Sequence, residues 1–210
     1  MEVTLALETA IGGGSICLFD GSEPIESVSR PAGLVRTENL LVIMDEMLLR
    51  NRIEKVSIEQ VIVSAGPGSF TGIRIGMSTG LGIAAAMGIS FRRLSMLEAA
   101  AFSISISTTS LVALPLGRDM LCIQPFEKRR GRPVPTANPS AVRDTVLTDL
   151  IQTAKYDQFL VDSTISDRIP PSLANNVVNL GDDLARVLGL ACLNSEIQDI
   201  SNPLFISVQK

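Results

Sequence analysis

The segment AGPGSFTGIRIG (Ala65–Gly76) decides how this sequence folds. It follows Gln60–Ala65 (QVIVSA), a near-continuous hydrophobic, β-branched run of the kind that forms a strand buried on both faces. It opens an apolar stretch that reads as a helix from about Thr71 to Met87. Strand, glycine loop, helix is an arrangement that can cradle phosphate on backbone N–H groups at a helix N-terminus. Gly66, Gly68 and Gly72 supply the backbone freedom such a loop needs. No Lys-Ser/Thr pair follows, so this is not a Walker P-loop. The helix carries a second signal, because Gly72, Gly76 and Gly80 are four apart and share one face. Each costs roughly 1 kcal/mol relative to alanine in a helix interior. That cost points to close approach by another backbone, either its own sheet or a partner.

Upstream, Val3, Leu5 and Leu7 alternate with Thr4, Ala6 and Glu8 and predict a strand. Gly12–Gly14 is a loop, and Ser15–Phe19 and Pro24–Arg30 are two further strands around the Asp20–Gly21 turn, so a three-stranded meander is expected. Thr37 is a candidate N-cap, with Glu38 in the first turn of a helix ending near Asn51. Leu40, Leu41, Met44, Met47 and Leu48 share a face, Val42 and Ile43 widen it, and Glu46 and Arg50 can pair at i,i+4. This helix is too apolar for a single buried face. A strand near Ser90–Leu94 and a helix near Met96–Ser103 close the first half. The order βββ-α-β-α-β-α is that of RNase H-like domains and of the lobes of actin-like ATPases.

The second half is less regular. Leu111–Leu114 and Met120–Gln124 predict a hairpin across Leu116–Asp119. Lys128–Pro139 is basic and proline-rich and reads as a loop, and Ser140 is placed to cap a helix running to about Thr153. Short strands are expected at Gln158–Val161 and Val177–Leu180, and a short helix at Asp182–Leu188. The expected organisation is a first lobe over residues 1–105 and a reduced, divergent second lobe over 106–210.

Composition narrows the chemistry. The chain of 210 residues has a net charge of −4, one Tyr, no Trp and no His. The missing histidine removes His-based triads and His zinc ligands. The aromatic poverty argues against a stacking platform for single strands, and the net charge gives no global attraction for phosphate backbones. Cys17, Cys122 and Cys192 are far apart with no CxxC spacing, so buried free thiols in a reducing compartment are expected. The start Met1–Leu5 lacks a basic region and reads as a strand, not a leader. Ile75–Phe91 and Ala99–Gly117 are uncharged but rich in small and hydroxyl residues, and read as buried elements, not membrane spans.

GPGSFTGIRIG (Gly66–Gly76) is similar to the signature GPGSFTGLRIG of the TsaB (YeaZ) family. Leu5–Gly21 resembles that family's opening strand pair, and Arg36–Leu48 resembles its first helix. The resemblance covers roughly the first 105 residues. Beyond them it is weak, with Arg118, Gln124 and Phe126 agreeing with a motif often written DARRGEVY. It implies a two-lobed actin-like ATPase (ASKHA, RNase H-like) fold with a reduced second lobe. It implies a non-catalytic subunit in synthesis of threonylcarbamoyladenosine beside the tRNA anticodon, an inactive paralogue often labelled glycoprotease-like. Its implied partners are a TsaD-type transferase and a TsaE-type ATPase, with tRNA reached through the complex, in the cytoplasm. The family's interface uses the first two helices, here with Leu40, Met44, Met47, Arg74, Gly76, Met77 and Gly80, and the same surface offers a homodimer. Glu8 stands where the family has Asp, and Arg36–Thr37 replace its His-Ser. Glu8, Gly66, Gly68 and Ser69 are the candidate contacts to a nucleotide in the inter-lobe cleft.

Three enzymatic readings compete with this one. A protease lacks a metal site, because there is no HExxH, and a Ser or Cys nucleophile would need a base other than His, for which a Lys has no supporting motif. An RNase H-type nuclease needs clustered carboxylates, and the strand ending at Ala65–Gly66 brings none. An actin-fold small-molecule kinase is the strongest rival, since fold alone does not fix function.

Overall fold

The computed structural model describes residues 2–29, 39–102, 109–117, 119–153, 156–194, 197–204 and 206. The expected cap at Thr37, the Arg36–Glu38 entry to the first helix, and Arg118 lie outside the described residues.

The chain builds two sheets. The first contains β1 (Val3–Glu8), β2 (Ser15–Asp20), β3 (Glu23–Ser29), β4 (Ile58–Ser64) and β5 (Ser90–Leu94), in the order β3-β2-β1-β4-β5. The meander β1–β2–β3 is antiparallel, and β4 and β5 run parallel to β1. The second contains β6 (Thr109–Pro115), β7 (Met120–Arg129), β8 (Arg132–Pro135), β10 (Gln158–Val161) and β11 (Val177–Asn179), in the order β11-β10-β6-β7-β8, with β9 (Ser140–Arg143) also on β7. Here too the first three strands are antiparallel and the last two parallel to the first. Read from its own first strand, the second sheet repeats the order of the first. The second sheet is thus a topological copy of the first.

Helices fill the layers. Alternation along β1, β2 and β4 sends Leu5, Leu7, Ile16, Leu18, Val61 and Val63 to one face, where α1 (Leu40–Arg50) and α2 (Phe70–Met87) cover them. Ala6, Cys17, Phe19 and Ile62 face the other way, onto α3 (Met96–Phe102) and α6 (Leu184–Asn194). That same cluster takes in Val112, Leu114, Cys122, Phe126 and Leu160 from the second sheet. So α3 and α6 are sandwiched between the sheets. The far face of the second sheet carries Ala113, Leu121 and Val161 against Leu147 of α4 (Leu147–Gln152) and Ile165 of α5 (Ser163–Ser166). This is the layered two-sheet α/β architecture expected.

Three local readings are corrected. Lys128–Pro139 is not a plain loop. β7 runs through Arg129, turns at Arg130 and Gly131, with φ of 51° and 82°, and returns as β8. Ser140 starts strand β9 rather than a helix, because β7 offers an unpaired edge to Ser140–Arg143, and the helix begins only at Leu147. The last helix extends to Asn194. Its Gly189 is not a stop signal. A Cβ there would collide with the Phe19 ring.

Candidate functional site

The glycine segment is spent on packing. Gly66 and Gly68 hold φ of +97° and +146°, which side chains rarely adopt. A Cβ on Gly68 would sit 2.6 Å from the Ala10 carbonyl oxygen, and one on Gly66 would sit 2.7 Å from Ile73 Cδ1. The loop is laced to its surroundings by hydrogen bonds. Ser69 N–H donates to Ala10 O at 2.8 Å, and Met96 N–H donates to Gly66 O at 2.9 Å. Ser69 Oγ caps α2 by accepting from Gly72 N–H. One N–H that a bound phosphate would use is thus already engaged.

The glycine face of α2 turns inward. A Cβ on Gly72 would strike the Thr9 carbonyl, and Thr9 Oγ1 donates to Gly72 O at 2.8 Å. Gly76 faces Thr9 and Val63, and Gly80 faces Val63, Phe91 and Val61. All three glycines meet this chain's own first lobe: Gly72 meets the loop after β1, Gly76 meets that loop and β4, and Gly80 meets β4 and β5. Leu40, Met44 and Met47 are likewise buried in the core beneath α1. In this conformation these five expected interface residues face inward. Arg74 remains exposed and Met77 is half-buried. Both line a groove of about 450 Å³ with Leu81, Phe91 and Arg93.

What α1 and α2 present outward is a different set. Leu41 is 58% exposed, Leu49 80% and Leu81 55%, with Val42 and Phe70 also exposed. The Arg74 guanidinium stacks 3.9 Å over the Phe70 ring. The helical period placed Leu41 with the buried residues. The structure buries Ile43 in its stead and leaves Leu41 outside. Leu49 and Leu81 were not singled out from the sequence, although Leu49 lies seven residues beyond Val42 on the same stripe. The expected Glu46–Arg50 pair forms at 3.7 Å, and Arg50 also bonds Glu26 of β3 at 2.6 Å, anchoring the helix C-terminus.

Glu8 ends β1 and is 1% exposed. Its carboxylate accepts from Ala10 N–H at 2.7 Å and Ile11 N–H at 3.1 Å. It therefore shapes its own β1–β2 loop. Asp162 does the same at the end of β10, accepting from Ile165 N–H and capping α5. Between these strand ends lies a hollow of about 290 Å³, lined by Ala10, Gly12, Ser69, Leu116, Gly117 and Thr164. It brings Ser69 near the turn between β6 and β7, with Gly66 and Gly68 behind it in the packed loop. No set of three His, Cys, Asp or Glu side chains among the described residues is placed to hold a metal ion.

The three thiols are buried and free. Burial pushes Cys17 and Cys122 up to about 12 and Cys192 up to about 11. All stay protonated at neutral pH and none is an activated nucleophile.

The family model of TsaD, the tRNA N6-adenosine threonylcarbamoyltransferase, matches residues 34–123. That span contains α1, the glycine loop and α2. Two solved structures from Pseudomonas aeruginosa share the fold. One is YeaZ, at TM-score 0.66 and 16% identity, covering 98% of this chain and all of that one. The other is an uncharacterized protein with similarity to peptidase YeaZ, at TM-score 0.66 and 17% identity, covering 99% and 100%. The two structures show a shared fold, and the TsaD model matches the part of the chain that holds the glycine loop. An uncharacterized protein of Mycobacterium leprae (strain TN) is 31% identical over 117 residues, or 52% of this chain. The matched stretch spans only 30% of that relative's length. The TsaD match excludes Glu8 and the β7–β8 hairpin tip. No helix among the described residues is long and apolar enough to cross a membrane.

Proposed function

We propose that this chain is a non-catalytic partner subunit in threonylcarbamoyl modification of the tRNA adenosine beside the anticodon, dimerising with and activating a TsaD-type transferase. One observation carries the reading. The helices α1 and α2 have filled their inner faces and still leave Leu41, Val42, Leu49 and Leu81 in solvent on the same side of the first sheet. Exposed apolar side chains on both outer helices offer a partner an apolar contact. Arg74 and Met77 border it in the adjoining groove. Glu8 accepts from the amides of its own loop and burial raises the Cys17 and Cys122 thiols, which agrees with a binding role. A TsaE-type ATPase joins the pair, tRNA is reached through the complex, and the setting is cytoplasmic. Without the partner, the same surface closes on a second copy as a homodimer.

The test is co-purification with a TsaD-type subunit. Leu41→Glu with Val42→Glu leaves the thermal melt of the isolated chain nearly unchanged, since both side chains are exposed, but lowers recovery of the partner at least tenfold. A correctly folded double variant that still recovers the partner overturns the reading. The rival, an actin-fold nucleotide enzyme resembling a small-molecule kinase, draws on the hollow beside Ser69. At about 290 Å³ it sits at the lower limit for a ligand pocket. Tight ATP binding with turnover by the purified chain would favour that rival.

A further inference from the structure

The hairpin between β7 and β8 carries Lys128, Arg129, Arg130 and Arg132 within five residues. With Glu127 as the one acid within it, the segment Glu127–Arg132 has a charge of +3 in a chain of net −4, so the remainder stands at −7. Arg129 bonds Glu127 at 3.0 Å. Lys128 and Arg130 are exposed and form no ion pair with any described residue. The cations are held on a formed element. Pairing runs from Phe126↔Pro135 to Arg129↔Arg132, and the two-residue turn at Arg130–Gly131 has the positive φ values that suit a tight hairpin.

Two ordinary explanations fall short. Charges often blunt an edge strand against unwanted pairing. Here prolines already do that. Thr136 N–H donates inward to Pro125 O, so Val134 and Arg132 share its inward direction, while Pro133 and Pro135 take the outward positions and offer no N–H. Nor do the charges stabilise the hairpin, since Arg129 and Arg132 stand directly opposite each other and like charges so placed are unfavourable. A preformed, cation-dense tip with no apolar or aromatic residue between Lys128 and Arg132 suits an anionic backbone contacted without base stacking.

We propose that this tip is a direct contact for the phosphate backbone of an RNA, positioning it without reading its sequence. The choice of RNA over an anionic lipid surface rests on the tRNA-modification reading above. The absence of any apolar anchor at the tip agrees with it.

The experiment titrates unmodified tRNA against the full chain in complex with a TsaD-type subunit at several salt concentrations. Lys128→Gln with Arg130→Gln should weaken binding about tenfold or more at low salt and make the log–log salt dependence shallower by about 1.5, as expected for two lost phosphate contacts. The charge-conserving pair Lys128→Arg and Arg130→Lys should bind as the parent does. Partner recovery and the thermal melt, measured in parallel, should not move. If the partner fails to associate even with the parent chain, the subunit reading falls, and the same titration on the isolated chain decides the tip. An unchanged slope in the glutamine variant, failure of the parent to bind tRNA, or stronger binding to phosphatidylserine vesicles than to tRNA would each overturn the proposal.

Discussion

On its outer face the first sheet carries helices of eleven and eighteen residues; the second carries helices of six and four. Yet the two sheets have the same strand order, and their inner faces meet the same pair of helices, α3 and α6. The difference teaches that strand order and outer cover are separable. The order follows from a meander and two crossover strands. The cover is set by how much apolar surface each crossover brings. In the first lobe it brings more than the sheet can bury, and the excess emerges as Leu41, Val42, Leu49 and Leu81. In the second the outer helices are minimal and the prominent exposed feature is charged, at the β7–β8 tip.

The most damaging way to probe this arrangement is to attack what the lobes share. Phe19 from the first sheet and Phe126 from the second are both fully buried in the α3–α6 layer. Phe19→Ala and Phe126→Ala should each cost about 3–5 kcal/mol in a denaturant melt. Each should also accelerate amide hydrogen exchange in both sheets, because the layer is common property. Exchange that quickens only in the mutated sheet would mean that the lobes open independently, and the comparison would have to be redrawn.

A smaller loss is expected from the first lobe alone. Gly72→Ala places a methyl group against the Thr9 carbonyl and within 2.8 Å of Ala10 Cα, and backbone cannot step aside as a flexible side chain can. Overpacking of this kind costs about 1–3 kcal/mol. Exchange should rise first in β1, β4 and α2. A rise that begins in the second sheet would contradict the assignment of α2 to the outer face of the first.

The same contrast explains what could be read from the sequence. In the first lobe, Val3, Leu5 and Leu7 alternate with residues for the opposite face and Gln60–Ala65 is near-continuously hydrophobic, so the strands were legible. The glycine face of α2 was legible as a close-packing face but not in its direction, because a helix glycine carries no mark of which backbone it meets. Gly76 and Gly80 turned out to meet Val63, Val61 and Phe91 of their own sheet. The inward direction of Leu40, Met44 and Met47 likewise depends on where the sheet lies. In the second lobe the local signals misled for physical reasons. Lys128–Arg132 reads as a loop because a hairpin tip is polar on both faces and satisfied by solvent. Val142, Val146, Leu147, Leu150 and Ile151 do have helical spacing, but the free edge of β7 captures the first of them. Glu8 was legible as a strand-end acid, whereas its bonds to Ala10 and Ile11 depend on a loop that only the fold creates.

The buried thiols offer a comparison of the lobes under one condition. Cys17 lies in β2 and Cys122 in β7, and both are pushed by burial from 9.0 to about 12. A thiol whose folded pKa is raised binds its proton more tightly when folded. Its contribution is therefore fully present below the unfolded value and is lost as pH climbs from about 9 towards 12, because the unfolded chain ionises first. Stability should fall with rising pH in that window. Cys17→Ala and Cys122→Ala should each flatten the decline, by at most about 1.4 kcal/mol per pH unit. A variant that leaves the slope intact would show that its thiol is reached by solvent in the folded chain.

The smallest effect has the opposite sign. Gly82 lies on the same helix as Gly72, but a Cβ there meets nothing within 4 Å. Gly82→Ala should therefore recover the helix-propensity difference, about 0.5–1 kcal/mol of added stability, visible as a higher denaturation midpoint at unchanged slope. One chemical change, a methyl group added to α2, is then destabilising on the face that meets the sheet and stabilising on the face that does not. If the isolated chain gains stability while recovery of the TsaD-type partner falls, Gly82 lies within a surface where the partner approaches α2 too closely for a methyl group. If both are unharmed, the contact on this side is confined to the neighbourhood of Leu41, Val42 and Leu81.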